Sequence, residues 1–296
     1  MRGRTLAAIA VRKPDGTIVV RRLPLTGIMY RSRWTKWPFL RGLVALWDAL
    51  VLGTRALIWS ADVAMAEEEG ETGGFEGPAA WGTLAISLTL GIGLFFLLPS
   101  YAAKGLERWL VSPFWISLVE GIFRLVLFLL YLWAIGRSQD IARVFAYHGA
   151  EHKAINAFEA GAPLTPESVA RFSREHVRCG TSFLLFVLLV SIILFAPFNF
   201  ANIVWHLLSR VILIPAVAMV AYELIRLSAA RGHRWWWHWL VVPGLWLQRL
   251  TTREPTPDML EVALAALKPV LEADGVLSSS PEVTASFSTT SVTPAG

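Results

Sequence analysis

Residues 182–227 decide the fold class; their sequence is SFLLFVLLVSIILFAPFNFANIVWHLLSRVILIPAVAMVAYELIRL. Two apolar runs, at 182–197 and 203–227, lie on either side of the charge-free turn PFNF at 197–200. Each run is close to the roughly 20 residues that an α-helix needs to cross the hydrocarbon core of a bilayer. The stretch therefore predicts a transmembrane helical hairpin.

Two further apolar segments, at about 82–100 and 114–136, precede this hairpin. The whole chain is 55% hydrophobic and only 17% charged, whereas soluble domains are about a quarter charged. It also contains 14 Trp residues, whose rings suit the membrane–water interface. We predict an all-α polytopic membrane protein with about four transmembrane helices, an amphipathic helix and a small N-terminal β-hairpin.

The β-hairpin is predicted from two β-prone runs, at 5–12 and 17–22, which flank the turn PDG at 14–16. Ten Lys or Arg residues lie between Arg2 and Arg41. Because basic residues accumulate on the cytoplasmic side of membrane proteins, we expect this end in the cytoplasm. Four spans also place the other basic segments there, so both termini are predicted to be cytoplasmic, in a multi-pass protein of the inner (plasma) membrane.

Residues 39–66 form a predicted helix of ambiguous placement. Its four charged residues recur every seven positions and so share one narrow stripe: Arg41, Asp48, Arg55 and Asp62. Each charge costs about 2.5–3.5 kcal/mol at the bilayer centre, which disfavours a lipid-exposed span. We interpret this segment as an amphipathic helix at the interface or against the bundle, and a fifth span stays open.

These patterns divide the chain into segments with different surroundings. In order they are a cytoplasmic hairpin segment 1–38, the amphipathic or membrane-associated helix 39–66, an acidic loop 67–81, transmembrane helices 82–136, a cytoplasmic His/Cys loop 137–181, the transmembrane hairpin 182–227, an interfacial and cytoplasmic helical region 228–275, and a disordered tail 276–296.

The lipid bilayer is the expected partner, with other membrane proteins or a homo-oligomer open. No nucleic-acid partner is expected, because aromatic residues adjoin basic ones only beside apolar spans.

The sequence YHGAEH at 147–152 is the sharpest chemical signal. His148 and His152 are four residues apart, so on a helix both imidazoles project from one face, as a metal-chelating pair requires. Glu151 lies beside them, where it is predicted to act as general base towards a metal-bound water. The order His-x-x-Glu-His is that of the inverted zincins, and a plain hydrogen-bonding histidine pair is the alternative.

A second group of ligand types lies in the same loop. His176 and Cys179 are three residues apart, and Cys179 is the single cysteine of the chain. Three histidines and one cysteine form a ligand set suited to zinc. We therefore predict a zinc site with His148, His152, His176 and Cys179 as metal ligands, in which Cys179 or His176 completes the set begun by the histidine pair. Glu223 is at a suitable sequence distance for an added acidic ligand, but we first interpret it as an interfacial ion pair with Arg226.

Charged residues also occur inside the predicted spans. Glu120 and Arg124 are four apart in the second span, and their simplest partners are each other. We interpret them as a structural ion pair. A polar seam facing the 39–66 helix is the alternative.

Four motifs resemble one family of proteins, in the right order along the chain. They are FLRG at 39–42, YHGAEHK at 147–153, RCGTS at 178–182 and PGLWLQ at 243–248. Over roughly residues 1–270 the chain resembles the YqhQ-like bacterial membrane proteins. This resemblance implies the polytopic fold. It also implies a metal-dependent enzyme that uses His148, Glu151 and His152, with His176 and Cys179 as companions.

The leading functional hypothesis is an integral membrane metalloprotein with a zinc-type site on its cytoplasmic face. If the site is hydrolytic, the protein is a metal-dependent hydrolase. The alternative hypothesis is a non-catalytic membrane scaffold or assembly factor, motivated by the charged stripe of the 39–66 helix and the intramembrane pair. A transporter is a weaker third class, since the sequence shows no inverted repeat and no pair of broken helices.

Overall fold

The computed structural model describes residues 1–26, 32, 35, 37–65, 78–106, 109, 112–198, 200, 202–231 and 235–277. Most of the predicted acidic loop and of the predicted disordered tail lies outside these described residues. The last residues assigned to that loop, from Pro78 onward, begin a helix.

Two strands and ten helices make up the described part of the chain. They are β1 Leu6–Arg12, β2 Ile18–Pro24, α1 Leu40–Met65, α2 Pro78–Ile92, α3 Leu98–Gly105, α4 Pro113–Ile135, α5 Gln139–Glu159, α6 Pro166–Val169, α7 Gly180–Phe195, α8 Ile203–Arg231, α9 Trp235–Thr251 and α10 Pro257–Ala273. A π-helical turn, Gly93–Leu97, joins α2 to α3 without a break, and a 3₁₀ turn, Ala196–Phe198, follows α7.

The N-terminal strands form the predicted antiparallel β-hairpin, with Leu6 opposite Pro24 and Arg12 opposite Ile18. Its tight turn depends on two residues. Gly16 adopts a φ of +88°, which glycine reaches at little cost. The Asp15 carboxylate accepts hydrogen bonds from the backbone N–H and the hydroxyl of Thr17, an arrangement that stabilises such turns.

Five helical segments are long and apolar enough to cross a membrane: Leu40–Val63, Ala85–Gly105, Phe114–Ile135, Gly180–Phe198 and Ile203–Ser228. Large apolar side chains on them are exposed, as a lipid-facing surface requires; Ile193, for example, is 75% exposed. The prediction of an all-α polytopic membrane protein with an N-terminal hairpin is confirmed. The segment added to the four predicted spans is α1, whose assignment the sequence left open.

A second packed unit lies outside the candidate spans and consists of the β-hairpin, α5, α6 and α10. Strand β1 packs on α10, and α10 packs on α5 and α6. The core of this unit combines small residues of α5 with larger ones of α6 and α10: Ala150, Ala154, Ala157, Val169, Leu260, Leu264, Leu267 and Leu271. The small alanine side chains let α10 approach α5 closely. This packing holds α5 in place, with His148 and His152 on the opposite face of the helix. We call this the hairpin–α5–α10 unit.

Candidate metal centre

Helix α5 presents the two histidines of the His-x-x-Glu-His sequence on one face, as its periodicity requires. The ring centroids of His148 and His152 are 4.4 Å apart. His152 is buried and His148 is partly buried. The helix therefore places both imidazoles together beneath the surface.

Cys179 reaches the same point from a different element. It is the N-cap residue of α7, where its sulfur accepts a 3.4 Å hydrogen bond from the backbone N–H of Thr181. Its Sγ lies 3.2 Å from Nε2 of His148. The candidate ligand atoms of His148, His152 and Cys179 all lie within 4.8 Å of one another. Tetrahedral zinc with nitrogen and sulfur ligands separates them by roughly 3.3–3.6 Å, so a small contraction would suit zinc.

Backbone carbonyl groups hold both imidazole rings. Nδ1 of His148 donates to the carbonyl oxygen of Thr251 at 2.9 Å, and Nδ1 of His152 donates to that of Arg174 at 2.6 Å. A carbonyl only accepts, so these bonds place a proton on Nδ1 and leave Nε2 as the metal-binding atom of each ring once it carries no proton. Metal-binding histidines in proteins are oriented in this way.

The electrostatics of the cluster favour a thiolate. Burial alone would raise the pKa of Cys179, but hydrogen bonds from His148 and His152 and their nearby charges lower it from 9.0 to about 5. Burial lowers the pKa of His148, and the Cys179 sulfur outweighs this and raises it. A thiolate is the form of cysteine that binds metal, and metal binding would displace the histidine protons that stabilise this thiolate in the metal-free cluster.

His176 lies next to this group and outside it. Its ring centroid is 5.9 Å from that of His152, and its Nε2 lies 3.5 Å from a carboxylate oxygen of Glu159. Burial lowers the pKa of His176, which keeps the ring neutral at neutral pH. The structure thus brings three of the four predicted ligands together, and it places His176 as a neighbour. Its role as a ligand stays a prediction.

Glu151 lines a cavity of about 600 Å³ together with His148, His152, His176 and Cys179. The remaining walls come from the N-terminal residues 1–4, from the later turns of α5, from the residues beside Cys179, and from α10 with Asp274 at its end. A ligand of modest size fits a space of this volume. The predicted general base and the predicted metal ligands therefore face one shared space, although Glu151's catalytic role stays a prediction.

Residues of the 243–252 segment support the cluster, and the sequence prediction gave them no role. Gln248 is fully buried. Its side chain accepts from the backbone N–H of His176 at 2.8 Å and donates to the His176 carbonyl at 2.8 Å and to the Ser182 hydroxyl at 2.9 Å. One amide thus fixes the segment that leads into Cys179. A lone glutamine in the apolar stretch PGLWLQ is the signal that could have revealed it.

Gly149 is a second supporting residue. A Cβ built at this position would lie 2.2 Å from the carbonyl oxygen of Arg253, a distance that no side chain tolerates. The backbone of Arg253 also donates to the carbonyl of Phe145 at 2.9 Å. Gly149, which directly follows His148, therefore lets the segment bearing Thr251 approach α5. This approach brings the Thr251 carbonyl to His148.

A second buried ionic group lies within the candidate spans, and we call it the intramembrane cluster: Ser100, Glu120, Arg124, His206 and Arg210. Glu120 accepts from Arg124 at 2.6 Å, as the sequence predicted, and from Ser100 at 2.7 Å. It also accepts two bonds from Arg210, at 2.8 and 3.1 Å. The sequence prediction missed Arg210, which is ninety residues away in the chain.

Both guanidinium groups of the intramembrane cluster also bind backbone carbonyl groups that the helices leave free. Arg124 donates to the carbonyl of Phe95 at 2.8 Å, inside the π-helical turn, where the regular bonding pattern is interrupted. Arg210 donates to the carbonyls of Phe195 and Phe198, at the end of α7. The cluster thus joins α4, α7, α8 and the α2–α3 segment, as a structural ion pair would.

Glu223 lies away from the metal ligands. It forms an ion pair with Arg41 and also accepts from the backbone N–H of Phe39. An ion pair is thus the role that the structure shows for Glu223, but its partner is Arg41 of α1 and not the predicted Arg226. Asp48, the next charge of the α1 stripe, pairs with Arg2 at 2.6 Å.

The architecture and the cluster define a class of protein: a multi-pass helical membrane protein with a His/Cys cluster outside its spans. The profile of the family described as "Protein of unknown function (DUF1385)" matches residues 37–273, and the chain belongs to this family. It is similar to the uncharacterized protein YqhQ of Bacillus subtilis (strain 168), with 32% identity over 278 residues that cover 90% of this chain and 87% of the relative. The predicted YqhQ-like membership is confirmed. No solved structure significantly matches the chain.

Proposed function

We propose that this protein is a membrane metalloprotein with a zinc-type site formed by His148, His152 and Cys179, and that it is a hydrolase with Glu151 as general base. One observation carries the proposal. Both histidine rings donate Nδ1–H to backbone carbonyl groups, and their Nε2 atoms converge with the Cys179 sulfur within 4.8 Å. Such anchoring of the rings is a property of metal sites, and chance histidine pairs do not require it.

The ligand number suits chemistry better than a purely structural role. Structural zinc sites use four protein ligands, whereas catalytic sites use three and leave one position for water or substrate. Three protein groups converge here, beside the cavity that Glu151 lines. Zinc, when bound, would polarise a substrate carbonyl and acidify a water molecule.

The protein's own residues have separate tasks in this proposal. Glu151 accepts the proton of the attacking water and returns it to the leaving group. The Thr251 and Arg174 carbonyls keep the imidazole rings in one orientation, and Gln248 fixes the segment before Cys179.

Titration of the purified, metal-free protein with Co²⁺ tests the ligand set. We expect a sulfur-to-cobalt charge-transfer band and a strong tetrahedral visible spectrum at about one equivalent. The Cys179→Ser variant should lose the charge-transfer band, and the His148→Ala/His152→Ala variant should lose both features. His176→Ala is the control that should retain them. A wild-type spectrum typical of octahedral cobalt, or a charge-transfer band that survives in Cys179→Ser, would refute the site.

A Glu151→Gln variant separates a hydrolase from a scaffold. It should bind cobalt like wild type and fail to complement a deletion strain, because only proton transfer is lost. Full complementation would favour the scaffold. Part of the motivation for that alternative is met within the chain, because Arg41 pairs with Glu223, Asp48 with Arg2, and Glu120 with Arg124.

We further propose that both termini and the His/Cys cluster face the cytoplasm and that α1 does not cross the membrane. Strand β1 packs on α10, and α10 packs on α5, so the chain before α1 and the chain after α4 lie on one side. The number of crossings between them must then be even. Three candidate spans occupy this interval, and one of them cannot cross.

We assign the segment that does not cross to α1, and its contacts support this assignment. Arg41 pairs with Glu223, eight residues before the end of α8, and Asp48 pairs with Arg2 beside the β-hairpin. The first two turns of α1 thus lie on the side of the hairpin–α5–α10 unit. The excess of Arg and Lys in the N-terminal segment supports a cytoplasmic location for that side.

Cysteine labelling in intact cells tests this topology, in a Cys179→Ser background. Ala61→Cys, near the end of α1, should resist a membrane-impermeant maleimide. Ser112→Cys, before α4, should react and serves as the matched control. Labelling of Ala61→Cys from outside would show that α1 crosses.

A further inference from the structure

The cavity beside the His/Cys cluster has two unlike walls. His148, Glu151 and His152 form a polar end. Ile155 and Phe158 continue along the same face of α5, and Leu267 faces them from α10. At 1.5 Å per residue, Phe158 lies about 9 Å beyond His152 along the helix axis. The cavity therefore has an apolar wall beside the candidate metal ligands, and charged side chains complete its lining: Arg2, Arg4, Glu159, Arg178 and Asp274.

The same cavity adjoins the start of a membrane span. Gly180 is among its lining residues, and it is also the first residue of the apolar segment Gly180–Phe198. The polar end of the cavity lies at Cys179, immediately before that segment. A molecule in the adjacent leaflet would meet the cluster at the level where its own polar head lies.

We infer that this cavity binds a single-chain amphiphile of membrane origin, with an oxygen-bearing anionic head at the His/Cys cluster and an alkyl chain between α5 and α10. The inference rests on the proposed function, since the head binds through the metal. The chain packs against Ile155, Phe158 and Leu267. An unbranched chain of six to eight carbons fits within about 600 Å³ together with its head group.

Chain-length dependence of hydroxamate binding tests this inference. Acetohydroxamate and octanohydroxamate carry the same metal-binding head and differ by six methylene groups. Each buried methylene is expected to tighten binding about fourfold. On full-length, cobalt-loaded protein in lipid nanodiscs, followed by the visible cobalt spectrum, octanohydroxamate should bind at least roughly 100-fold more tightly. Empty nanodiscs measure how much probe partitions into lipid, and the free concentration is corrected accordingly.

Two variants of α5 test where the alkyl chain of the probe binds. Ile155→Trp fills the apolar end and should abolish the chain-length gain while acetohydroxamate binds as in wild type. Val144→Trp, at a position that is 57% exposed and outside the cavity, should keep both affinities. Equal affinity of wild type for the two probes overturns the inference, and so does a gain that persists in Ile155→Trp.

These outcomes also separate the inference from the proposed function. If acetohydroxamate binds but the longer probe gains no affinity, the inference of an amphiphile is refuted and the proposed metal site stands. If the protein never acquires the tetrahedral cobalt spectrum, both the amphiphile inference and the proposed metal site are refuted. The wild-type comparison needs no substitution, so a failure of Ile155→Trp to fold does not prevent the test.

Discussion

The described residues include two buried groups of polar and charged side chains, the intramembrane cluster and the His/Cys cluster, and they differ in what their bonds connect. In the intramembrane cluster both Glu120 oxygens accept hydrogen bonds, and Arg124 and Arg210 also donate to serine or backbone groups. In the His/Cys cluster the outer sides of the rings are fixed, whereas the inner nitrogens and the Cys179 sulfur face each other and a cavity. The first arrangement joins helices, and the second leaves ligand atoms available.

The difference teaches that burial of charge does not by itself indicate chemistry. Intramembrane charges are functional candidates by default, and Glu120, Arg124 and Arg210 are at most 1% exposed. Nevertheless their bonds are used to tie four helical segments together. The His/Cys cluster is less buried and its bonding is directional, so we expect variants of the two clusters to fail in different ways.

The largest effect is expected from the Glu120→Gln substitution. It leaves Arg124 and Arg210 without a buried counter-charge, and breaking a buried ion pair costs about 3–5 kcal/mol. We expect a large fall in the thermal unfolding midpoint in detergent. The control is Glu175→Gln at the ion pair with Arg249, whose side chain is 59% exposed; such a pair contributes about 0–1 kcal/mol. Similar midpoints for the two variants would show that the intramembrane cluster is not a structural tie.

The next largest effect concerns the pH dependence of Cys179. Its pKa is lowered from 9.0 to about 5, so the thiolate persists above about pH 5 and is protonated below it. In metal-free protein, the rate of modification by a small thiol reagent should fall with a midpoint near that value. The His148→Ala substitution removes the main hydrogen-bond donor and should move the midpoint upward, towards roughly 8.5. A midpoint that does not move would contradict the His148–Cys179 contact.

A smaller effect is expected from Gly149→Ala. The new methyl group would collide with the Arg253 carbonyl, displace the segment bearing Thr251, and release the His148 ring. Loss of such an outer contact typically costs 10–100-fold in metal affinity, which a competition titration with a chelator would measure. Gly53→Ala in α1 is the matched control, because nothing lies within 4 Å of its added methyl group. Equal metal affinities for the two variants would contradict the account of Gly149.

Much of the fold could be predicted from the sequence, because it depends on local patterns. Apolar length indicated the spans, and the PDG turn between β-prone runs indicated the hairpin. The placement of α1 could not be decided from the sequence, since the free-energy cost of its charged side chains near a membrane depends on whether they have partners. Arg41 and Asp48 find these partners far away in the chain, in Glu223 and Arg2, and no local pattern encodes such contacts.

The candidate site was predictable where it depends on helical spacing and residue type. His148 and His152 follow from a four-residue interval, and Cys179 from its chemistry. Gln248 and the Thr251 carbonyl were not predictable, because the fold brings them to the cluster from about a hundred residues beyond α5. Arg210 was missed for the same reason, since it meets Glu120 only once α4 and α8 pack together.

Elemental analysis tests the central claim most directly, with detergent-purified wild-type protein beside the His148→Ala/His152→Ala variant. The account predicts about one zinc per wild-type chain and its loss in the variant, with the variant still folded because the intramembrane cluster is intact. An absence of metal from both proteins, or equal zinc in both, would contradict the proposal that these histidines form a metal site.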